Sequence, residues 1–214
     1  MVRKIGVVGA GQMGNGIAHV CAVAGYDVVL ADVSDDRLTA ALATMGLNMD
    51  RQVRRGLIDE IGKAEALARI KPTVAFEEFG DCDLVIEAAT ENEDTKRKVF
   101  EELVPKLRAD ALLATNTSSI SITRLAAATD RPGKFMGVHF MNPVPMMNLV
   151  ELIRGIATEE ETVNIFREVT QELGKIPVSA EDFPAFIVNR ILLPMINEAV
   201  YTLYEGVGLS LIHI

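Results

Sequence analysis

Residues 4–14 read KIGVVGAGQMG. The run from Ile5 to Val8, β-branched at three of its four positions, passes straight into Gly9, Gly11 and Gly14 and then into an apolar pattern of helical period. Strand, tight turn and helix in succession, with G-x-G-x-x-G spacing, open a βαβ unit and commit the chain to a doubly wound sheet. Gly9 is expected to permit the turn. Gly11 lets the backbone approach a pyrophosphate, and Gly14 lets helix and strand pack closely. The helix would aim its free N–H groups and positive end at the phosphates. A second run, Tyr26 to Ala31, ends in Asp32, 18 residues past Gly14. A carboxylate there accepts hydrogen bonds from ribose hydroxyls and repels a 2′-phosphate, which favours NAD over NADP. Asp32 also reads as a turn or helix-capping aspartate.

Strand and helix alternate along the rest of the chain. Ser34 can cap a helix beginning near Asp35, and Asp35 and Asp36 suit its positive end. Helical sequence then persists to about Arg69, with breaks expected near Gly46, Gly56 and Gly62. This is longer than a crossover requires, and it reads as a helical arm over about residues 35–70. Strands are expected at 73–76, 83–87, 111–115, 135–139, 148–153 and 176–179, and helices at 93–108, after 123, and at 159–173, the last ended by Gly174. A long apolar helix from Ala185 to Glu205 follows Pro184. Its apolar positions need cover on more than one side.

The chain of 214 residues is 49% hydrophobic and 24% charged, with net charge −9. Basic residues are mixed with acids, so nucleic acid is not an expected partner. RQVRR at 51–55 is the local exception; it reads as a solvated helix face or as a contact for a phosphate-rich ligand. Cys21 and Cys82 lack metal spacing and read as buried thiols of a reducing compartment. No apolar run reaches membrane-spanning length, and residues 1–3 lead directly into the first strand, so a cytoplasmic protein is expected, or an organelle protein whose transit segment has been removed.

Ligands of doubly wound sheets sit outside the carboxyl ends of the strands. Asn116 and Ser118 follow one strand there, His139 ends the next, Glu151 lies in the strand after it, and Asn189 lies in the last helix. Hydride removal from an alcohol needs a base for the hydroxyl proton, and a histidine held by a carboxylate supplies one. Taken singly, His139 reads more readily as a satisfied core histidine and Glu151 as an edge-strand charge. Ser118 alone reads as a helix cap, and Asn189 as a local helix hydrogen-bonder.

The segments GAGQMGNGIA, VIEAATEN, ATNTSSISIT, GVHFMNPVPMMNLVELIRG, LGKIPVSAEDFPAFIVNRILLPMINEA and YEGV together resemble the L-3-hydroxyacyl-CoA dehydrogenases, from residue 3 to about Gly208. The HFMNPVPMMNLVE and PAFIVNR blocks are much more specific than the glycine motif. The resemblance implies a Rossmann-type, mostly parallel sheet over residues 1–182, followed at 183–214 by the start of an all-α, dimerising domain. It implies His139 as general base, Glu151 as its partner, and Ser118 and Asn189 on the substrate. Gly9, Gly11, Gln12, Met13, Gly14, Asp32, Glu91, Lys96, Asn116 and Asn142 would contact NAD, with Glu91 and Lys96 near the nicotinamide ribose. Asn48 and Arg55, and more weakly Arg51 and Arg54, would meet the coenzyme A of an acyl-CoA substrate. A homodimer is implied for the longer family proteins. The last six residues, LSLIHI, depart from the family and read as a truncation or read-through tail.

Other dehydrogenase readings fare worse. None of Tyr26, Tyr201 and Tyr204 has a lysine four residues on, as a Tyr-x-x-x-Lys enzyme requires, and residues 186–205 lack a catalytic lysine. A sugar-acid dehydrogenase on the same scaffold and a cofactor-binding fragment without turnover stay open.

Overall fold

The apolar runs of the sequence become strands buried on both faces. In a computed structural model, which describes residues 2–208, β1 (Lys4–Val8), β2 (Asp27–Ala31), β3 (Ile70–Thr73), β4 (Leu84–Glu87), β5 (Leu112–Thr115), β6 (Phe135–Phe140), β7 (Leu149–Arg154) and β8 (Ile176–Glu181) form one sheet. Its order is β3-β2-β1-β4-β5-β6-β7-β8. Every pair is parallel except β6 with β7. The helices are α1 (Gln12–Val23), α2 (Asp35–Arg54), α3 (Glu60–Ala68), α4 (Glu93–Leu103), α5 (Ile122–Ala126), α6 (Glu160–Glu172) and α7 (Val188–Tyr204). Successive strand residues alternate between two cores. Ile5, Val7, Leu30, Leu84, Ile86 and Val138 face one side, and Val8, Val29, Val85, Leu113 and Phe135 the other. Burial on both faces explains the continuous apolar runs.

The order reverses at β1, with β2 and β3 to one side and β4 onward to the other. The crevice beyond the strand ends at this switch is where doubly wound sheets take their ligands. Gly9 has φ +99, and a Cβ there would meet the Ala88 carbonyl oxygen at 2.7 Å. At Gly14 a Cβ would fall inside the van der Waals shell of the Gly9 carbonyl oxygen, whereas at Gly11 it would meet nothing within 4 Å.

Four boundaries differ from the sequence expectation. The strand placed at 73–76 lies at Ile70–Thr73, and Phe76–Phe79 is a 3₁₀ turn with Phe79 fully buried. β3 is an edge strand, so it tolerates Pro72, whose missing N–H misleads a sequence reading. Helix α2 runs unbroken through Gly46, and Gly62 lies in the first turn of α3, where its N–H donates to Asp59. The helix placed at 93–108 ends at Leu103 and tightens into a 3₁₀ turn around Pro105. Helix α7 starts at Val188 instead of Ala185, because Ala185 (φ 68) and Phe186 (φ 50) adopt the left-handed conformation. Ser34 stands at the N-cap of α2 but makes no capping hydrogen bond with its side chain. The LSLIHI tail lies outside the described residues.

Candidate active site

The pairing of β6 with β7 sets His139 directly opposite Glu151. Both side chains then leave the same face of the sheet. His139 Nδ1 lies 2.6 Å from Glu151 Oε2, and His139 Nε2 lies 3.2 Å from Ser118 Oγ. The carboxylate fixes Nδ1 as the donor, so Nε2 is left as the acceptor and the Ser118 hydroxyl donates to it. Both members are buried, at 6% and 1% exposure. The other oxygen of Glu151 accepts from the backbone N–H groups of Ile187 and Val188, each at 2.9 Å. Burial pushes the Glu151 carboxyl up. The hydrogen bonds from His139, Val188 and Ile187 outweigh that and hold it below its usual range. The Phe186 ring stands edge-on to the imidazole at 6.0 Å, and the Asn189 amide donates to the Ser118 carbonyl.

A second carboxylate organises the loop that presents Ser118. Glu91 Oε1 accepts from Thr117 Oγ1 at 2.6 Å, from the Ser118 N–H at 2.8 Å and from Ser119 Oγ at 3.2 Å. Burial raises the Glu91 carboxyl, and these donors together with the Lys96 charge bring it below its usual range. Lys96, expected near the nicotinamide ribose, lies behind Glu91, with its ammonium 3.7 Å from Glu91 Oε2. It is fully buried, and its ammonium donates to both oxygens of Glu87, at 2.8 and 2.9 Å, and to the Ala89 carbonyl.

Three cavities meet at the glycine-rich turn. A cleft of about 990 Å³ runs past Gly9, Gly11, Gln12, Met13, Asp32 and Ala88. A pocket of about 450 Å³ holds Met13, Glu91, Asn116, Ser118, His139, Asn142 and Asn189. A groove of about 500 Å³ lies between α1, α2 and the loop after β6, past Gly11, Gln12, Asn48 and Asn142. Asp32 Oδ2 accepts from the Ala10 N–H at 2.7 Å, which ties the end of β2 to the turn, and Arg37 stands 3.7 Å from Oδ1. The open face at Gly11, the N-terminus of α1 and the Asp32 carboxylate fit a dinucleotide's pyrophosphate and ribose. Asn116 uses its carbonyl oxygen on the Phe140 N–H, at 2.9 Å. In the arm, Asn48 accepts from Arg51 at 3.0 Å, Arg54 and Arg55 are exposed, and Arg55 reaches within 3.9 Å of Met146 Sδ.

Sequence reasoning missed Glu87, Lys175, Asp182 and the first amides of α7. Lys175 is buried, which lowers its pKa, and it holds the loop after β6 through the carbonyls of Val144 (2.7 Å) and Met147 (2.9 Å). Glu87 carried a signal, since an acid closing a buried apolar strand demands a partner.

The family model for the 3-hydroxyacyl-CoA dehydrogenase NAD-binding domain matches residues 4–183. The chain belongs to the 3-hydroxyacyl-CoA dehydrogenase family. It is 61% identical over 208 residues to a 3-hydroxybutyryl-CoA dehydrogenase of Bradyrhizobium diazoefficiens, covering 97% of this chain and 71% of that one. A probable 3-hydroxybutyryl-CoA dehydrogenase of Deinococcus radiodurans is 46% identical, with 96% of this chain and 73% of that one covered. Among solved structures, the (S)-3-hydroxybutyryl-CoA dehydrogenase PaaH1 from Ralstonia eutropha superposes with a TM-score of 0.94 at 47% identity, over 97% of this chain and 74% of that one. The domain is NAD-binding, and the sheet matches the expected Rossmann-type class. No helix among the described residues is long and apolar enough to cross a membrane. No cluster of metal-ligating side chains occurs among them either.

Proposed function

We propose that the chain oxidises an (S)-3-hydroxyacyl-CoA, with 3-hydroxybutyryl-CoA as the representative substrate, to the 3-oxoacyl-CoA, and runs the reverse reduction. The observation that carries this is the Ser118–His139–Glu151 chain, with His139 and Glu151 buried and Ser118 half-buried, at the mouth of the nucleotide cleft. NAD, when bound in the cleft, supplies the hydride acceptor. His139 Nε2 takes the proton of the C3 hydroxyl, and Glu151 stabilises the imidazolium through Nδ1. Ser118 Oγ, which lies against Nε2, holds the same oxygen in place, and Asn189 braces the Ser118 loop. In the reduction, His139 returns the proton to the carbonyl oxygen.

Asn48 and Arg55 are proposed contacts for the coenzyme A end, beside the groove past Gly11. The buried thiols Cys21 and Cys82, both pushed up to about 12 chiefly by burial, support a reducing, cytoplasmic setting. The test is NADH oxidation with acetoacetyl-CoA. His139→Gln is expected to lose about 10²–10⁴-fold in rate and to keep NADH binding. Near-normal turnover in that variant overturns the assignment.

A second reading rests on α7. None of its residues is buried, and Ile191, Met195, Ile196 and Val200 are at least half exposed. The division proposed here is a nucleotide-binding domain over 1–182 and the start of a helical domain at 183. A second copy of the chain, as a homodimer, or further chain covers α7. Binding of NADH without turnover, beside an active longer form, favours this reading.

A further inference from the structure

The segment between β8 and α7 is held at its start by its own Asp182, bound to the first turn of α5, and at its end by Glu151 of β7. At its start, Asp182 accepts from Ser121 Oγ (2.8 Å), the Ile122 N–H (3.0 Å) and the Thr123 N–H (2.8 Å), so it caps the short helix after the Ser118 loop. At its end, the Ile187 and Val188 N–H groups donate to Glu151. Between the clamps, Ala185 and Phe186 are both left-handed without being glycine. Such a conformation is strained for a residue with a Cβ and persists only where the surroundings enforce it. Here the enforcement has a result, because it turns two backbone donors onto the one carboxylate that serves His139.

We propose that the 182–188 linker is a positioning element that sets the proton affinity of the His139–Glu151 pair, so that the pair is tuned only while α7 is docked. The argument rests on the dehydrogenase reading above, in which this pair carries the substrate's proton. Two amide donors spread the carboxylate's charge and lower its basicity. When they are withdrawn, that charge concentrates on the imidazole side and the pair takes up its proton at higher pH. The other groups facing the pair keep their places. Ser118 comes from the loop after β5, with Glu91 behind it and Lys96 behind Glu91. β8 sets Val178 beside Glu151, and the first turn of α7 carries Asn189 and the exposed Arg190.

The experiment is an NMR titration of the full chain with labelled histidine and glutamate, followed through the His139 ring and the Glu151 carboxyl. Val188→Pro removes one donor at the first helical position, and because Ile187 before it lies in the helical region (φ −95, ψ −56), which a following proline disfavours, the fold of the variant is checked first. The midpoint of the pair's titration is expected to rise by about 0.5–1 pH unit, a roughly three- to tenfold gain in proton affinity. An unchanged midpoint in a folded variant overturns the proposal. Should the variant not fold, the unmodified chain decides. The amide protons of Ile187 and Val188 are expected to shift with the pair's own titration, and to lose that response in Glu151→Gln. Amides that ignore the titration overturn the proposal. Both readouts are independent of turnover. Loss of dehydrogenase activity in a longer form would sink the substrate reading and leave this coupling standing.

Discussion

Lys96 and Glu87 meet with both side chains at 0% exposure, and the remaining hydrogen-bonding capacity of Glu87 goes to Thr115 Oγ1 (2.6 Å) and the Ala89 N–H (2.7 Å). A pair enclosed in this way tolerates the loss of one partner badly, because the survivor is a buried charge without compensation. Lys96→Met is therefore expected to cost about 3–5 kcal/mol of stability. Adding Glu87→Gln should return much of it, since the glutamine carbonyl oxygen still accepts from the Ala89 N–H and its NH2 group can donate to the Thr115 hydroxyl, without a charge. Urea unfolding of the single and double variants checks this, and strictly additive losses would refute the pairing argument. The case also marks a limit of sequence reading at the scale of one residue. Lys96 stands on a charged helix, and its neighbours in sequence give no hint of a partner nine positions back at the end of β4. A long-range buried pair leaves no local signature. His139 and Glu151 are intermediate. Both can be found as polar residues in apolar strands near the sheet's ligand-binding end. Their facing positions, however, follow from the antiparallel pairing of β6 with β7, which the sequence pattern does not encode.

At the scale of the element, the turn from β1 into α1 was legible almost atom by atom, because each glycine answers a separate steric demand. The demands can be separated experimentally. A Cβ at position 11 meets nothing within 4 Å, so Gly11→Ala should leave thermal stability close to that of the parent chain. The same methyl group stands where a pyrophosphate would approach, and NADH affinity is expected to fall about tenfold or more, some 1.4 kcal/mol. Gly14→Ala instead drives a methyl group into the Gly9 carbonyl, so α1 must shift away from β1, at about 1–3 kcal/mol. Thermal melts and NADH fluorescence titrations on both variants distinguish the two effects. Equal destabilisation by both substitutions would contradict the steric assignment. Elements governed by tertiary context were less legible. β3 hides its edge position behind Pro72, and α7 begins three residues late because the clamps on either side of Ala185 and Phe186 hold those residues left-handed.

Across the whole molecule, the pH response follows from groups that each pin distant segments together. Asp83 accepts from the Arg3 and Lys4 N–H groups at the start of β1, Glu91 holds the Ser118 loop, and Glu151 and Asp182 hold the linker. In all four, burial pushes the carboxyl up and hydrogen bonds, aided by charge at Asp83 and Glu91, more than offset it, so each folded pKa lies below the ordinary value. Such groups contribute stability above the ordinary carboxylate range, and it is lost as pH falls through their lowered folded values, below about pH 4. His19 adds an earlier loss. It is fully buried, its Nε2 bonds Gln52 at 2.9 Å, and its Nδ1 has no partner among the described residues. Burial lowers its pKa, with the nearby Lys175 charge acting in the same direction. Below about pH 6.5 the unfolded chain binds a proton there that the folded chain refuses, so stability declines as pH drops. Unfolding by urea is thus expected to show two steps of weakening, one setting in below about pH 6.5 and a steeper one below about pH 4. In His19→Gln the first should vanish and the second remain. A first step that survives the substitution would mean that some other group carries it, and that His19 is not held neutral between α1 and α2.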